Sequence, residues 1–140
     1  MLYLDRVESE WPLRIQLPPG STVPLHCTAS GKLFLANLPR TRRDRIIEKL
    51  PLEKKSKNTI TEIDALSVEL DKIAASGIGT DNEEFIQGLV AVAVPIRAKN
   101  GRMIATLATH GPVIRMSFDV ALGHVERLRQ AAEELAKGLE

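Results

Sequence analysis

Aromatic side chains, cysteine and net charge are all scarce in this chain of 140 residues, and each scarcity excludes something. Aromatics make up 4% of the sequence, so a core must be built from aliphatic side chains. Cys27 is the single cysteine; it rules out an intrachain disulfide, and no second thiolate supports a zinc site. Nineteen Lys and Arg against eighteen Asp and Glu leave a formal charge of +1. A nucleic-acid-binding domain carries a basic excess on one face, so direct contact with DNA by these residues is not expected. Long hydrophobic runs are missing too. The longest, Leu89 to Ile96, is far too short to span a bilayer. No secretory leader is legible, because Met1-Leu2-Tyr3-Leu4 meets Asp5 and Arg6 at once. A cytoplasmic location is the expectation.

The chain does have enough apolar content, 44%, to fold as one domain over residues 1–140. Leu2–Leu4 and the alternating Leu13–Leu17 read as short strands, the second ending in a turn at Pro18-Pro19-Gly20-Ser21. A short helix is expected over Ser30–Leu38, closed by Pro39. A second runs from Thr41 to Leu50, with Arg42, Arg43 and Arg45 toward water and Ile46, Ile47 and Leu50 packed. Lys54-Lys55-Ser56-Lys57-Asn58 reads as a solvated basic loop. Thr59-Ile60-Thr61-Glu62 has the spacing of a capping box. The helix it would open carries Ile63, Leu66, Leu70 and Ile73 on one stripe and stops at Gly77. Asp81, Glu83 and Glu84 fall on a loop, with the two glutamates in solvent. Gly88–Arg97 and Arg102–Thr109 form a hairpin around Asn100-Gly101. Ser117 caps a long final helix, to Gly138, with Ala121, Val125, Leu128, Ala132, Leu135 and Leu139 inward. Strand-rich and helical stretches in this order favour an α+β fold with an antiparallel sheet over a parallel wound one.

Several residues carry possible chemistry. Gly31-Lys32 lacks the spacer and leading glycine of a phosphate loop. The helix start itself is a better candidate, since the N–H groups of Ala29 and Ser30 can hold a carboxylate there. The plainer alternative is that Thr28 or Ser30 merely caps the helix. His26, Cys27 and Asp81 can be drawn as base, nucleophile and orienter, but adjacent residues on extended chain point to opposite sides. Cys27 reads better as a small buried hydrophobe. Gly77 and Gly79 bend the chain toward the core ahead of Asp81, and a partly buried carboxylate there needs donors. His110 ends a small, apolar strand before Gly111-Pro112, where an imidazole either reaches a cavity or is satisfied by loop backbone. No metal-ligand spacing is present.

Taken together, Tyr3-Leu4-Asp5-Arg6-Val7-Glu8-Ser9, Val23 to Lys32 with Leu35-Ala36, Gly77 to Glu84, Gly88, Val92 to Ile96 and Gly111-Pro112 resemble the effector-binding domain of the IclR family of bacterial transcriptional regulators. The resemblance covers nearly the whole chain. It implies a GAF-like α+β sensor that forms dimers or tetramers, needs no cofactor or metal, and binds a small organic acid. It also implies that DNA is contacted only through a winged helix-turn-helix domain ahead of this segment. Carried over by position, the family's pocket falls on Ala29, Ser30, Asp81, Leu89, Ala91, Ala108 and His110. Ala91 stands where some members have cysteine, and Ala108 and His110 stand where some have hydroxyl residues. That pattern favours a ligand larger than the smallest keto acids, with an apolar portion. Two competing classes are an enzyme acting on a small acid through Cys27, His26 and Asp81, and a pure oligomerisation module without a ligand.

Overall fold

Leu89–Arg97, the most apolar strand, lies in the middle of the sheet (β2), between Gly79–Asn82 (β1) and Met103–Pro112 (β3). Both pairings are antiparallel, as the order of elements predicts. The helices are α1 (Ala29–Asn37), α2 (Arg40–Lys49), α3 (Ile63–Ser76), α4 (Phe118–Leu122) and α5 (Val125–Leu139). The computed structural model describes residues 1–5 and 20–139. The expected strand over Leu13–Leu17, and Pro18 and Pro19 of the expected turn, lie outside them. Of the first expected strand, Leu2 forms an isolated bridge with Thr22.

Alternation along β2 splits the core in two. Val90, Val92, Val94 and Ile96 pack against Ala121, Val125 and Ala132 of α4 and α5. Ala91 and Ala93, on the opposite face, pack with α1, α2 and α3 through Ala29, Leu33, Ile47, Leu66 and Leu70. The C-terminal helices α4 and α5 therefore cover one face, and α1, α2 and α3 the other. Gly79 lets α1 lie unusually close to the sheet. A Cβ at that position would run into the carbonyl oxygen of Ala29.

Local signals set most helix ends. Gly77 closes α3 in the left-handed region (φ +72°), its N–H donating to the Ile73 carbonyl at 2.8 Å. Gly101 (φ +85°) sits in the turn between β2 and β3. Ser117 caps α4, accepting from Val120 N at 3.2 Å.

Four expectations need correction. The capping box does not form: α3 begins after Glu62, whose side chain makes no cap bond, and the Thr59 hydroxyl is used elsewhere. Ile63 is 41% exposed and leaves the stripe, while Leu66, Leu70 and Ile73 are buried. Arg43 does not face water. It is 3% exposed and donates to Asp71 Oδ1 at 2.9 Å, and this bond holds the Asp71 carboxyl below the usual carboxylate range. The final helix is broken at Gly123 into α4 and α5, so its periodicity drifts. Leu135 and Leu139 end up 45% and 52% exposed instead of inward.

Candidate functional site

Asp81 lies within β1, not on a loop, opposite Ala91. Ala91 in turn pairs with His110 of β3. Directly opposed residues share a face, so Asp81, Ala91 and His110 form one row across three strands. At a strand spacing of about 4.8 Å, the acid and the imidazole rise from positions about 10 Å apart. Only the Ala91 methyl stands between them. Gly79, Ala93 and Ala108 form the neighbouring row. Leu89 lies further along the same face, paired with Pro112. The strand carrying His110 runs on to Pro112, so Gly111-Pro112 is sheet and the chain turns only after it. His110 is thus a half-buried strand residue and not a strand-end one.

The start of α1 lies over this face. Thr28 is the N-cap, accepting from Gly31 N at 3.1 Å. That leaves the N–H groups of Ala29 and Ser30 without an acceptor among the described residues, so capping and anion capture do not compete for the same donors. Ala29, Ala91 and Ala108 pack into one cluster. Ser30 is half-buried beside them in sequence.

Asp81 is 6% exposed. Its Oδ1 accepts from Glu84 N at 2.8 Å. Burial pushes the carboxyl from its ordinary 3.8 to about 7, and the Glu84 charge adds to the rise. Opposing this are the backbone N–H of Glu84, the Lys32 ammonium and the backbone N–H of Phe85.

Glu84, expected in solvent, is 6% exposed. Lys32, whose Gly-Lys pair does not make a phosphate loop, is fully buried. Its Nζ lies 2.7 Å from Glu84 Oε1 and 3.0 Å from Glu69 Oε2. The one legible hint is Asp81-x-x-Glu84, the spacing at which two acids trade backbone N–H groups. Here Glu84 Oε2 takes the N–H of Asn82 at 2.9 Å. Glu83, also expected in solvent, is half-buried, with φ +57° and its Oε1 accepting from Gly88 N.

The basic loop is not a plain connection either. Ser56 Oγ donates to the carbonyls of Glu83 and Glu84, Thr59 Oγ1 donates to that of Glu84, and Asn58 Nδ2 to that of Asn82. Residues 53–59 therefore form a strap across the 82–84 turn, with Thr59 buried beneath it and Glu53, Asn58 and the three lysines exposed.

His26 and Cys27 do not assemble as a catalytic pair. His26 is 2% exposed, and its Nε2 donates to the Glu53 carbonyl at 2.8 Å. Cys27 is fully buried. Burial, with the Asp81 and Glu84 charges, pushes its thiol to about 12, so it holds its proton at neutral pH. Two open clefts of about 610 and 420 Å³ lie away from the Asp81–His110 row, one between the β2–β3 hairpin and α5, the other beside the start of α3.

Comparison with known proteins agrees with this architecture. The family described as bacterial transcriptional regulator IclR C-terminal matches residues 1–137. The probable transcriptional regulator SauR of Cupriavidus necator is 48% identical over 137 residues, covering 98% of this chain and 54% of that protein. The Thermotoga maritima IclR crystal structure aligns with TM-score 0.88 at 33% identity, over 99% of this chain and 56% of that one. An inducer-binding domain of PobR from Acinetobacter, a double mutant in complex with 3-hydroxybenzoic acid, aligns with TM-score 0.82 at 30% identity, over 91% and 77%. The chain spans about half the length of the curated relatives it matches. With a family model matched along its length and relatives this similar, the chain belongs to the C-terminal domain family of the IclR bacterial transcriptional regulators.

Proposed function

We propose that this domain senses a small organic acid for a cytoplasmic transcription factor, and that it is a regulator and not an enzyme. Acid binding would shift the arrangement of associated copies and so the spacing of DNA-binding heads elsewhere in the full protein. The observation that carries this reading is the row Asp81–Ala91–His110 beneath the open first turn of α1. It combines two polar anchors, two unengaged backbone donors and an alanine-lined floor, the mix usual for small-molecule sites. The acid's carboxylate would lie against the N–H groups of Ala29 and Ser30, with Asp81 and His110 bonding its other polar atoms. Ala91, Ala108 and Leu89 would face an apolar body. The PobR domain solved with 3-hydroxybenzoic acid supports a ligand of this class. An anionic ligand near Asp81 is compatible because burial pushes that carboxyl up to about 7, so a protonated form is available near neutral pH. The buried, protonated Cys27 speaks against the nucleophile that the enzyme alternative requires.

Thermal-shift screening with hydroxy and keto acids, followed by calorimetric titration, tests the proposal, since a ligand bound only by the native state raises Tm. Asp81→Ala is expected to weaken the best acid by about 1–3 kcal/mol. A cation as best ligand, or unchanged affinity in both Asp81→Ala and His110→Ala, would overturn the assignment. Residues 1–140 alone are expected to self-associate in sedimentation and to show no sequence-specific DNA binding.

A further inference from the structure

Lys32 lies at the centre of a buried charged node that the proposed ligand site does not use. An ammonium with no solvent exposure persists only when its hydrogen-bonding needs are met by fixed partners. Lys32 on α1 finds them in Glu69 on α3 and Glu84 after β1. Glu84 in turn closes a circuit: its Oε2 accepts from Asn82 N at 2.9 Å, and its own N–H donates to Asp81 Oδ1 at 2.8 Å. From the other side, Ser56 and Thr59 hold the Glu84 carbonyl. Glu84 thus joins α1, the strap and both ends of the 81–84 turn through its side chain, its N–H and its carbonyl.

We propose that Lys32 and Glu84 are positioning residues of the effector site, holding the Asp81 carboxyl at the sheet face beside Ala91 and controlling its proton. The inference rests on Asp81 being an effector contact. Charge counting supports it: one ammonium faces three carboxyls, two of which already bind it. Asp81 is the third: burial favours its protonated form, the Glu84 charge adds to this, and the Lys32 ammonium only partly offsets it. The groups facing it are Glu84 and Lys32, the neutral Cys27 thiol, and His110 across Ala91. Lys55 on the strap is near enough to act on Cys27. An acidic effector then meets a neutral hydrogen-bond donor at low pH and a repelling carboxylate at high pH.

The test is a carbon-13 NMR titration of the Asp81 carboxyl in the ligand-free chain. The wild-type midpoint is expected near 7. Glu84→Gln removes the adjacent negative charge and releases Lys32, so the midpoint should fall by about one unit, a tenfold loss of proton affinity. Glu69→Gln, at a partly exposed position that tolerates change, should lower it by a smaller amount. A midpoint unchanged in both variants overturns the inference. The effector-site reading is tested separately by thermal shift with pyruvate and 3-hydroxybenzoate on wild type and Asp81→Asn. A shift in wild type that is reduced in Asp81→Asn supports that reading. Equal shifts, or none, overturn it whatever the NMR midpoints show.

Discussion

The two faces of the central strand are built on different physics. Toward α4 and α5, Val90, Val92, Val94 and Ile96 pack in an apolar cluster with Ala121, Val125 and Ala132, so burial is the main force at that interface. Toward α1 and α3 the same strand offers Ala91 and Ala93, and around them lie Asp81, Glu84 and Lys32, all buried. Small side chains there let α1 approach the sheet closely, and charged ones make the packing directional. One face supplies stability that depends on little but volume. The other adds to its apolar cluster buried polar groups in set positions, which is why the proposed site is placed there.

The largest expected effect tests the directional face. Lys32→Met strands Glu84 without its cation and should cost about 3–5 kcal/mol in urea denaturation. The double variant Lys32→Met, Glu84→Leu should recover much of that loss, because it removes the unpaired charge; no recovery would mean that the node is not held together by charge.

Next comes pH. The folded Asp81 carboxyl lies near 7 against 3.8 unperturbed, so the native state binds more protons than the unfolded state between these values. Stability attributable to this group is therefore full below about pH 4 and lost as pH rises through 7, by on the order of 2–4 kcal/mol. Thermal melts of Asp81→Asn should lack that slope.

Val92→Ala probes the opposite face. It should lower stability by about 2 kcal/mol through lost burial and an unfilled cavity, yet leave acid affinity unchanged. A large affinity loss would mean that the two faces are not independent. Ser117→Ala, which removes the α4 cap, should cost about 1 kcal/mol and nothing in binding.

Much of the scaffold is legible from local pattern. Pattern alone places the first helix within one residue of Ala29–Asn37, and Asn100-Gly101 marks the hairpin turn correctly. The apolar run beginning at Leu89 marks the central strand. Failures come where a residue's partner is remote. Thr59 and Glu62 match a capping box, but the Thr59 hydroxyl accepts from the N–H groups of Lys55 and Ser56 and donates to the Glu84 carbonyl, 25 residues away. Arg43 reads as a solvent-facing charge until Asp71 of α3 comes beside it. The residues proposed for the ligand site come from resemblance more than from any local rule, and the shared row of Asp81, Ala91 and His110 comes from strand register.

What the chain determined by itself is what periodicity, glycine and proline can encode: where the first three helices and the β2–β3 hairpin lie, the stop at Gly77, and much of each apolar stripe. Those choices depend on backbone sterics and on neighbours within a few residues. Only the tertiary structure decided which charges are buried. Lys32 and Glu84 are 52 residues apart, and each alone would be driven into water. They stay inside because the fold brings them within 2.7 Å, where mutual attraction and fixed hydrogen bonds replace the lost hydration.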